Sequence, residues 1–170
     1  MLEYDWESSV GYWVCTTSHS LRRAMSTRLA EEDMTLRQWE VLASLSVHGS
    51  VSQSRLAECL GLEAQTIAGI LNRMVRDGWL ERRCCEEDRR RNLVHATPKA
   101  EALWSRLIQI CNEVRDQAVA GLSDAELSEF QRICARIRAN LAGPEESTDA
   151  VSDSAAESQI AETVATSASV

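Results

Sequence analysis

Val10, Trp13, Val14, Thr17, Leu21, Met25 and Arg28 recur every three to four positions, and this stripe predicts a first helix over about Trp6–Glu31. Thr35-Leu-Arg-Gln38 has the form of a capping box, with Met34 and Trp39 at the two staple positions, so a second helix is predicted from Leu36 to just before His48-Gly49-Ser50. Ser52 is placed to cap a third helix, with Val51 and Leu56 as its staple and Gly61 as its C-terminal stop. A fourth helix is predicted from about Glu63 to Asp77, closed by Gly78, with Ile67, Ile70, Leu71 and Met74 as its apolar face. Trp79–Arg83 and Asn92–Ala96 are short β-compatible runs, and the nearly all-charged residues between them predict a solvated turn. Thr97-Pro98 restarts a helix, whose stripe is Ala100, Leu103, Trp104, Leu107, Cys111, Val114 and Ala118. Ser123-Asp-Ala-Glu126 is a second capping box, stapled by Leu122 and Leu127, and Leu127, Phe130, Cys134, Ile137 and Leu141 continue the last helix.

Two short helices joined at a glycine, then a strand, an arginine-rich tip and a second strand, make the order of a helix-turn-helix with a β-hairpin wing. The predicted fold class is mainly α with a small β-hairpin. A winged helix-turn-helix lobe (34–96) is flanked by N- and C-terminal dimerisation helices (6–33 and 97–142). From residue 143 the chain is rich in Ser, Thr, Ala and Glu, with no aromatic and no basic residue, which predicts a disordered acidic tail over 143–170.

Charge changes this picture only once it is localised. The 170 residues carry a formal net charge of −8, which taken whole argues against a nucleic-acid partner. The tail holds six acids (Glu145, Glu146, Asp149, Asp153, Glu157, Glu162) and no base, and without them 18 bases face 20 acids. Gln65–Ala100 carries eight bases against five acids, and affinity for DNA depends on where the cations sit.

In a helix-turn-helix the second helix enters the major groove and its N-terminal residues meet base edges. The expected exposed positions include Glu63, Gln65, Thr66, Gly69, Asn72, Arg73 and Arg76. Gln65 and Asn72 have the chemistry to pair with adenine, and Thr66 to donate or to meet a thymine methyl. Arg73 and Arg76 lie later on the helix, where phosphate contact is expected. Arg89, Arg90 and Arg91 sit at the hairpin tip, where a narrow minor groove attracts inserted arginine, and Asp88 is placed to brace one of them.

The chain resembles the MarR family of winged-helix transcription regulators. The matching runs are M-T-L-R-Q-W-E-V-L (Met34–Leu42), Q-S-R-L-A-E-C-L-G-L (Gln53–Leu62), N-R-M-V-R-D-G-W-L-E-R-R (Asn72–Arg83), D-R-R (Asp88–Arg90) and L-V-H-A-T-P-K-A (Leu93–Ala100), within a resemblance over about Val10–Leu141. It implies a homodimer with the first helix and the last two interleaved between protomers. It also implies binding to a pseudo-palindromic double-stranded DNA operator, usually as a repressor. Asp88 and Arg90 match the family's wing Asp-x-Arg. Gly69 departs from the long polar residue of many members, which shifts base readout toward Gln65, Thr66 and Ala68. Ser52 completes the expected DNA-facing set.

The resemblance further implies an effector pocket between the dimer helices and the DNA-binding lobe, often for small aromatic acids. Trp13, Thr17, Trp39, Leu42 and Trp104 are the candidate walls, and His19, Arg22 and Arg23 the candidate partners of a carboxylate. Thiol oxidation is the rival switch. The family's peroxide-sensing branch uses a cysteine near the start of the first helix. Cys15 falls about one turn further along, and Met25 and Leu36 stand where supporting tyrosines are expected, so Cys15 is read as a small core residue. Cys84-Cys85 beside Arg82 and Arg83 has a setting that lowers a thiol pKa, but adjacent cysteines bridge only with strain, and both are read as inert. Cys59, Cys111 and Cys134 fall on predicted core faces.

The six cysteines lack metal-site spacing, and no Gly-rich phosphate loop or nucleophile–base pair is evident. No secretory signal or membrane-spanning run is evident either. The expectation is a cytoplasmic, non-enzymatic regulator without metal or cofactor. A winged-helix module that binds protein instead of DNA is the alternative from another class, and a small redox enzyme using Cys84-Cys85 is a third.

Overall fold

The computed structural model describes residues 5–84 and 92–142. The expectations placed on Asp88, Arg89, Arg90 and Arg91, on Cys85 and on the acidic tail lie outside the described residues.

Helix α1 spans Val10–Leu29 and passes into a 3₁₀ turn, Ala30–Glu32, that ends at Asp33 in the left-handed region (φ 53°). Trp6 is not part of α1. Ser9 caps the helix by accepting the Tyr12 N–H, so it begins with the first residue of the apolar stripe, about a turn later than the predicted start at Trp6. Helix α2 spans Leu36–His48 and opens with the Thr35–Gln38 capping box. Strand β1 is the pair Val51–Ser52, and helix α3 spans Gln53–Leu60, ending at Gly61 in the left-handed region (φ 58°). Helix α4 spans Ala64–Arg76, strand β2 Leu80–Cys84 and strand β3 Asn92–Ala96. Helix α5 spans Pro98–Ala118 and helix α6 spans Asp124–Leu141, the latter opening with the Ser123–Glu126 capping box.

The sheet has three antiparallel strands in the order β1-β3-β2. Leu80 pairs with Ala96 and Cys84 with Asn92 along the hairpin, while Val51 pairs with Val94 and Ser52 with Leu93 on its other edge. The third strand is an addition to the predicted hairpin. Two residues are too short to show a period, and their pairing partner lies more than forty positions away.

Leu56, Ile67, Leu71, Met74, Leu80 and Val94 are fully or almost fully buried and join the two helix-turn-helix helices to the sheet. Val41 of α2, Leu29 of α1 and Leu107 and Ile110 of α5 continue the same core. Thr97 fixes the joint between wing and α5: its hydroxyl donates to the Gly78 carbonyl at 2.7 Å and accepts the Ala100 N–H. Arg28 pairs with Glu113 of α5, and Arg106 of α5 with Glu32 at 2.8 Å, which ties the C-terminal end of α1 to α5.

The outer helices are different. No residue of α6 is buried, and its stripe leaves Phe130 60% and Leu141 80% exposed. The first half of α1 is equally bare, with Val10 59% and Trp13 57% exposed.

Candidate DNA-binding interface

Helix α4 turns its apolar residues Ile67, Ile70, Leu71 and Met74 into the core, and this burial fixes which face is left outside. Gln65, Thr66, Asn72, Arg73 and Arg76 are exposed on that outer face, with Ala68 and Gly69 half-buried between them. Glu63, Gln65, Thr66, Gly69 and Arg73 line a shallow groove along it. Ser52 caps α3 by accepting the Arg55 N–H at 3.2 Å, and Gly61 supplies the left-handed turn that swings the chain into α4. Here the structure brings together the residues of α4 that sequence reasoning singled out.

The two arginines of α4 are not equivalent. Arg76 is held by Asp77, with Nε–Oδ1 2.8 Å and Nη2–Oδ2 3.3 Å, and these bonds keep the Asp77 carboxyl below the usual carboxylate range. Arg73 makes no contact ion pair among the described residues, although its charge also acts on Asp77. Its Nη1 lies 3.7 Å from where a Cβ on Gly69 would stand. The missing side chain at Gly69 therefore leaves a seat on the groove face, and the Arg73 guanidinium occupies its edge.

The eight residues predicted to bind an effector do not converge in the single chain. Trp13, Thr17, His19 and Arg23 are exposed on α1, and the Trp13 indole N–H donates to the Glu7 carbonyl at 2.8 Å. Arg22 is paired with Glu40 at 2.8 Å, so its charge is already answered. Trp39 is half-buried, and its indole N–H finds no oxygen or nitrogen acceptor. Among the described residues, Leu42 and Trp104 line a common cavity of about 340 Å³ that the other six do not reach. The other walls of that cavity include Ser46, Ser50, His95 and Glu101, none of which sequence reasoning picked out. They come from α2, the turn before β1, β3 and α5, and no local pattern links them.

The MarR family profile matches residues 32–91. The crystal structure of the transcriptional regulator PA3341 is 31% identical, with 78% of this chain and 98% of that one covered at a TM-score of 0.72. The chain belongs to the MarR family. Two further relatives share the fold at lower identity. Bordetella bronchiseptica BpsR, studied for regulation of its DNA binding by 6-hydroxynicotinic acid, is 20% identical over 81% of this chain and 98% of its own, with a TM-score of 0.71. A mutant of Escherichia coli MarR complexed with operator DNA is 21% identical over 75% and 92%, with a TM-score of 0.70. The winged helix-turn-helix of this MarR-family chain, α3, α4 and the β2–β3 hairpin, is thus the lobe by which such regulators are classed.

The cysteines of this family member sort by packing. Cys15 is exposed, which corrects the expectation of a core residue. It shares that exposure with Val10, Trp13 and Val14 around it, because nothing among the described residues of the single chain covers the first half of α1. Cys84 is also exposed, and Cys59, Cys111 and Cys134 are half-buried. Burial raises the Cys111 thiol to a pKa of about 11, opposed by the Trp39 N–H and a backbone bond. Alkylation of the native protein with iodoacetamide is expected to label the exposed Cys84 well before Cys111, because the thiolate is the reactive form. Peptide mapping by mass spectrometry checks this, and equal labelling of Cys111 would refute it. No helix among the described residues is long and apolar enough to cross a membrane, and these residues hold no cluster of three or more metal-ligating side chains.

Proposed function

We propose that the protein is a homodimeric, cytoplasmic repressor that holds a pseudo-palindromic operator and releases it when a small molecule binds. The observation that carries DNA binding is the outer face of α4, where Gln65, Thr66, Asn72 and Arg73 stand clear of the core. The operator complex of E. coli MarR supports the same use of the fold here. The observation that carries the dimer is α6: an 18-residue amphipathic helix with no buried residue needs a partner for its stripe. In this proposal residues 6–33 and 97–142 make the dimer and 34–96 make the DNA-binding lobe. Arg89, Arg90 and Arg91, with Asp88, are assigned to the wing tip in the minor groove. The output is DNA occupancy, with no reaction catalysed. The regulation of BpsR by 6-hydroxynicotinic acid supports a ligand-controlled reading.

A gel-shift with the DNA upstream of the protein's own gene tests the proposal. Salt-sensitive binding is expected to two half-sites about 34–36 Å apart, and deletion of one half-site is expected to remove most of the affinity. Arg90→Ala is expected to weaken binding by about 1–3 kcal/mol. Absence of salt-sensitive binding to any such fragment would overturn the assignment.

A further inference from the structure

The cavity beside α5 has a chemistry that the aromatic-acid expectation does not match. It is lined by Leu42 and Ser46 of α2, Ser50 before β1, His95 of β3, and Glu101 and Trp104 of α5, and it opens to the surface. Its volume of about 340 Å³ lies at the small end of ligand sites, enough for one or two fused rings. No lysine or arginine lines it among the described residues. The cations nearby in sequence are engaged elsewhere: Arg22 and Arg37 both reach Glu40, and Lys99 donates to the Asp77 carbonyl while lying over the Trp79 ring. Glu101, in contrast, has no ion-pair partner among the described residues. An incoming carboxylate would meet a like charge here, while a planar cation would meet Glu101 beside the Trp104 indole.

The cavity is also wired to the DNA-binding parts. Ser50 Oγ and His95 Nδ1 are 2.6 Å apart across one of its walls. Two residues on, Ser52 pairs with Leu93 of β3 and caps α3. Strand β3 in turn forms the wing hairpin with β2. A ligand that parts Ser50 from His95 therefore acts on the start of α3 and on the wing together.

We propose that this cavity is the effector site and that it selects a small planar aromatic cation, such as an aryl amidine or a quaternised nitrogen heterocycle, over an aromatic carboxylate. The proposal rests on the reading of the protein as a ligand-controlled DNA-binding regulator.

Calorimetric titration of the full-length protein with benzamidine and N-methylquinolinium, against benzoate and salicylate, tests it. Both cations are expected to bind and to weaken binding of the upstream operator fragment, and the carboxylates to do neither. Glu101→Gln, an exposed isosteric change in the first turn of α5, is expected to reduce cation affinity about tenfold, the loss of one charge contact. Preferential binding of the carboxylates, binding of neither class, or cation binding unchanged by Glu101→Gln would overturn the site. Operator binding that ignores both cations overturns the site and leaves the regulator reading intact. Glu101-dependent cation binding by a protein that binds no operator DNA overturns that reading and keeps the site.

Discussion

Phe130→Asp is expected to convert the dimer to monomers and to lower operator affinity by at least about 100-fold. Phe130 is 60% exposed in the single chain, on the α6 stripe that continues through Cys134, Ile137 and Leu141. A dimer that covers this stripe would place the new carboxylate in apolar surroundings, once in each protomer. Removing an unpaired charge from water costs several kcal/mol per site, and each 1.4 kcal/mol is about a tenfold change in equilibrium constant. A monomer also presents one α4 and loses the linkage between half-sites. The core of the lobe, Leu56, Ile67, Leu71 and Met74, does not involve Phe130, so the lobe is expected to stay folded. Ser128→Asp, about 100° around the helix from Leu127 and further from the other stripe residues, is expected to leave the dimer intact. Analytical ultracentrifugation with circular dichroism reads both, and a dimeric Phe130→Asp protein would show that α6 is not the interface.

Arg73→Ala is expected to cost about 1–3 kcal/mol of operator binding and to relax the preference at one G·C pair in each half-site. The expectation for Arg73 from sequence is phosphate contact, shared with Arg76. The structure separates them, because Asp77 holds Arg76 while the Arg73 guanidinium is seated against Gly69 in the groove face of α4. A forked guanidinium is suited to the O6 and N7 acceptors of guanine, and a lysine is not a substitute for that fork. Arg73→Lys is therefore expected to keep much of the affinity and lose the preference. Gly69→Gln would fill the seat and is expected to shift the preference as well, whereas Gly69→Ala makes only an ordinary contact at 3.7 Å. Selection from a randomised half-site library, at two salt concentrations, gives the readout. A loss spread evenly over all sequences, with a salt slope reduced by about one, would show a phosphate contact instead.

Apart from α1, whose Ser9 cap was not foreseen, the helix starts were legible because their causes are local. Thr35 with Gln38 and Ser123 with Glu126 complete their capping boxes within four residues, and Gly61 and Gly78 take the positive φ that ends α3 and follows α4. The apolar face of α4 was legible for the same reason, since Ile67, Ile70, Leu71 and Met74 repeat at helical spacing and are all buried. The outer face followed by exclusion, which is why the exposure of Gln65, Thr66, Asn72, Arg73 and Arg76 could be read in advance.

The residues expected to meet an effector were less legible. Trp13 and Trp39 lie at helical spacing like Trp104, yet Trp13 is outside and Trp39 is packed near Cys111. Spacing says which side of its own helix a residue takes. It does not say which other element that side meets.

By itself, the sequence determined the order of the helices and the caps of all but α1, the strands of the wing hairpin and the inner and outer faces of α4, because each depends on contacts within a turn or a hairpin. Only the tertiary structure decided that Val51–Ser52 joins the sheet against Val94–Leu93, that Glu40 occupies Arg22 and Asp77 occupies Arg76, and that Ser50, His95, Glu101 and Trp104 share one cavity. Most of these contacts join residues far apart in the chain. Arg76 and Asp77 are neighbours, but adjacent residues do not face each other by spacing alone, so their pairing is a matter of where the helix end leaves both side chains.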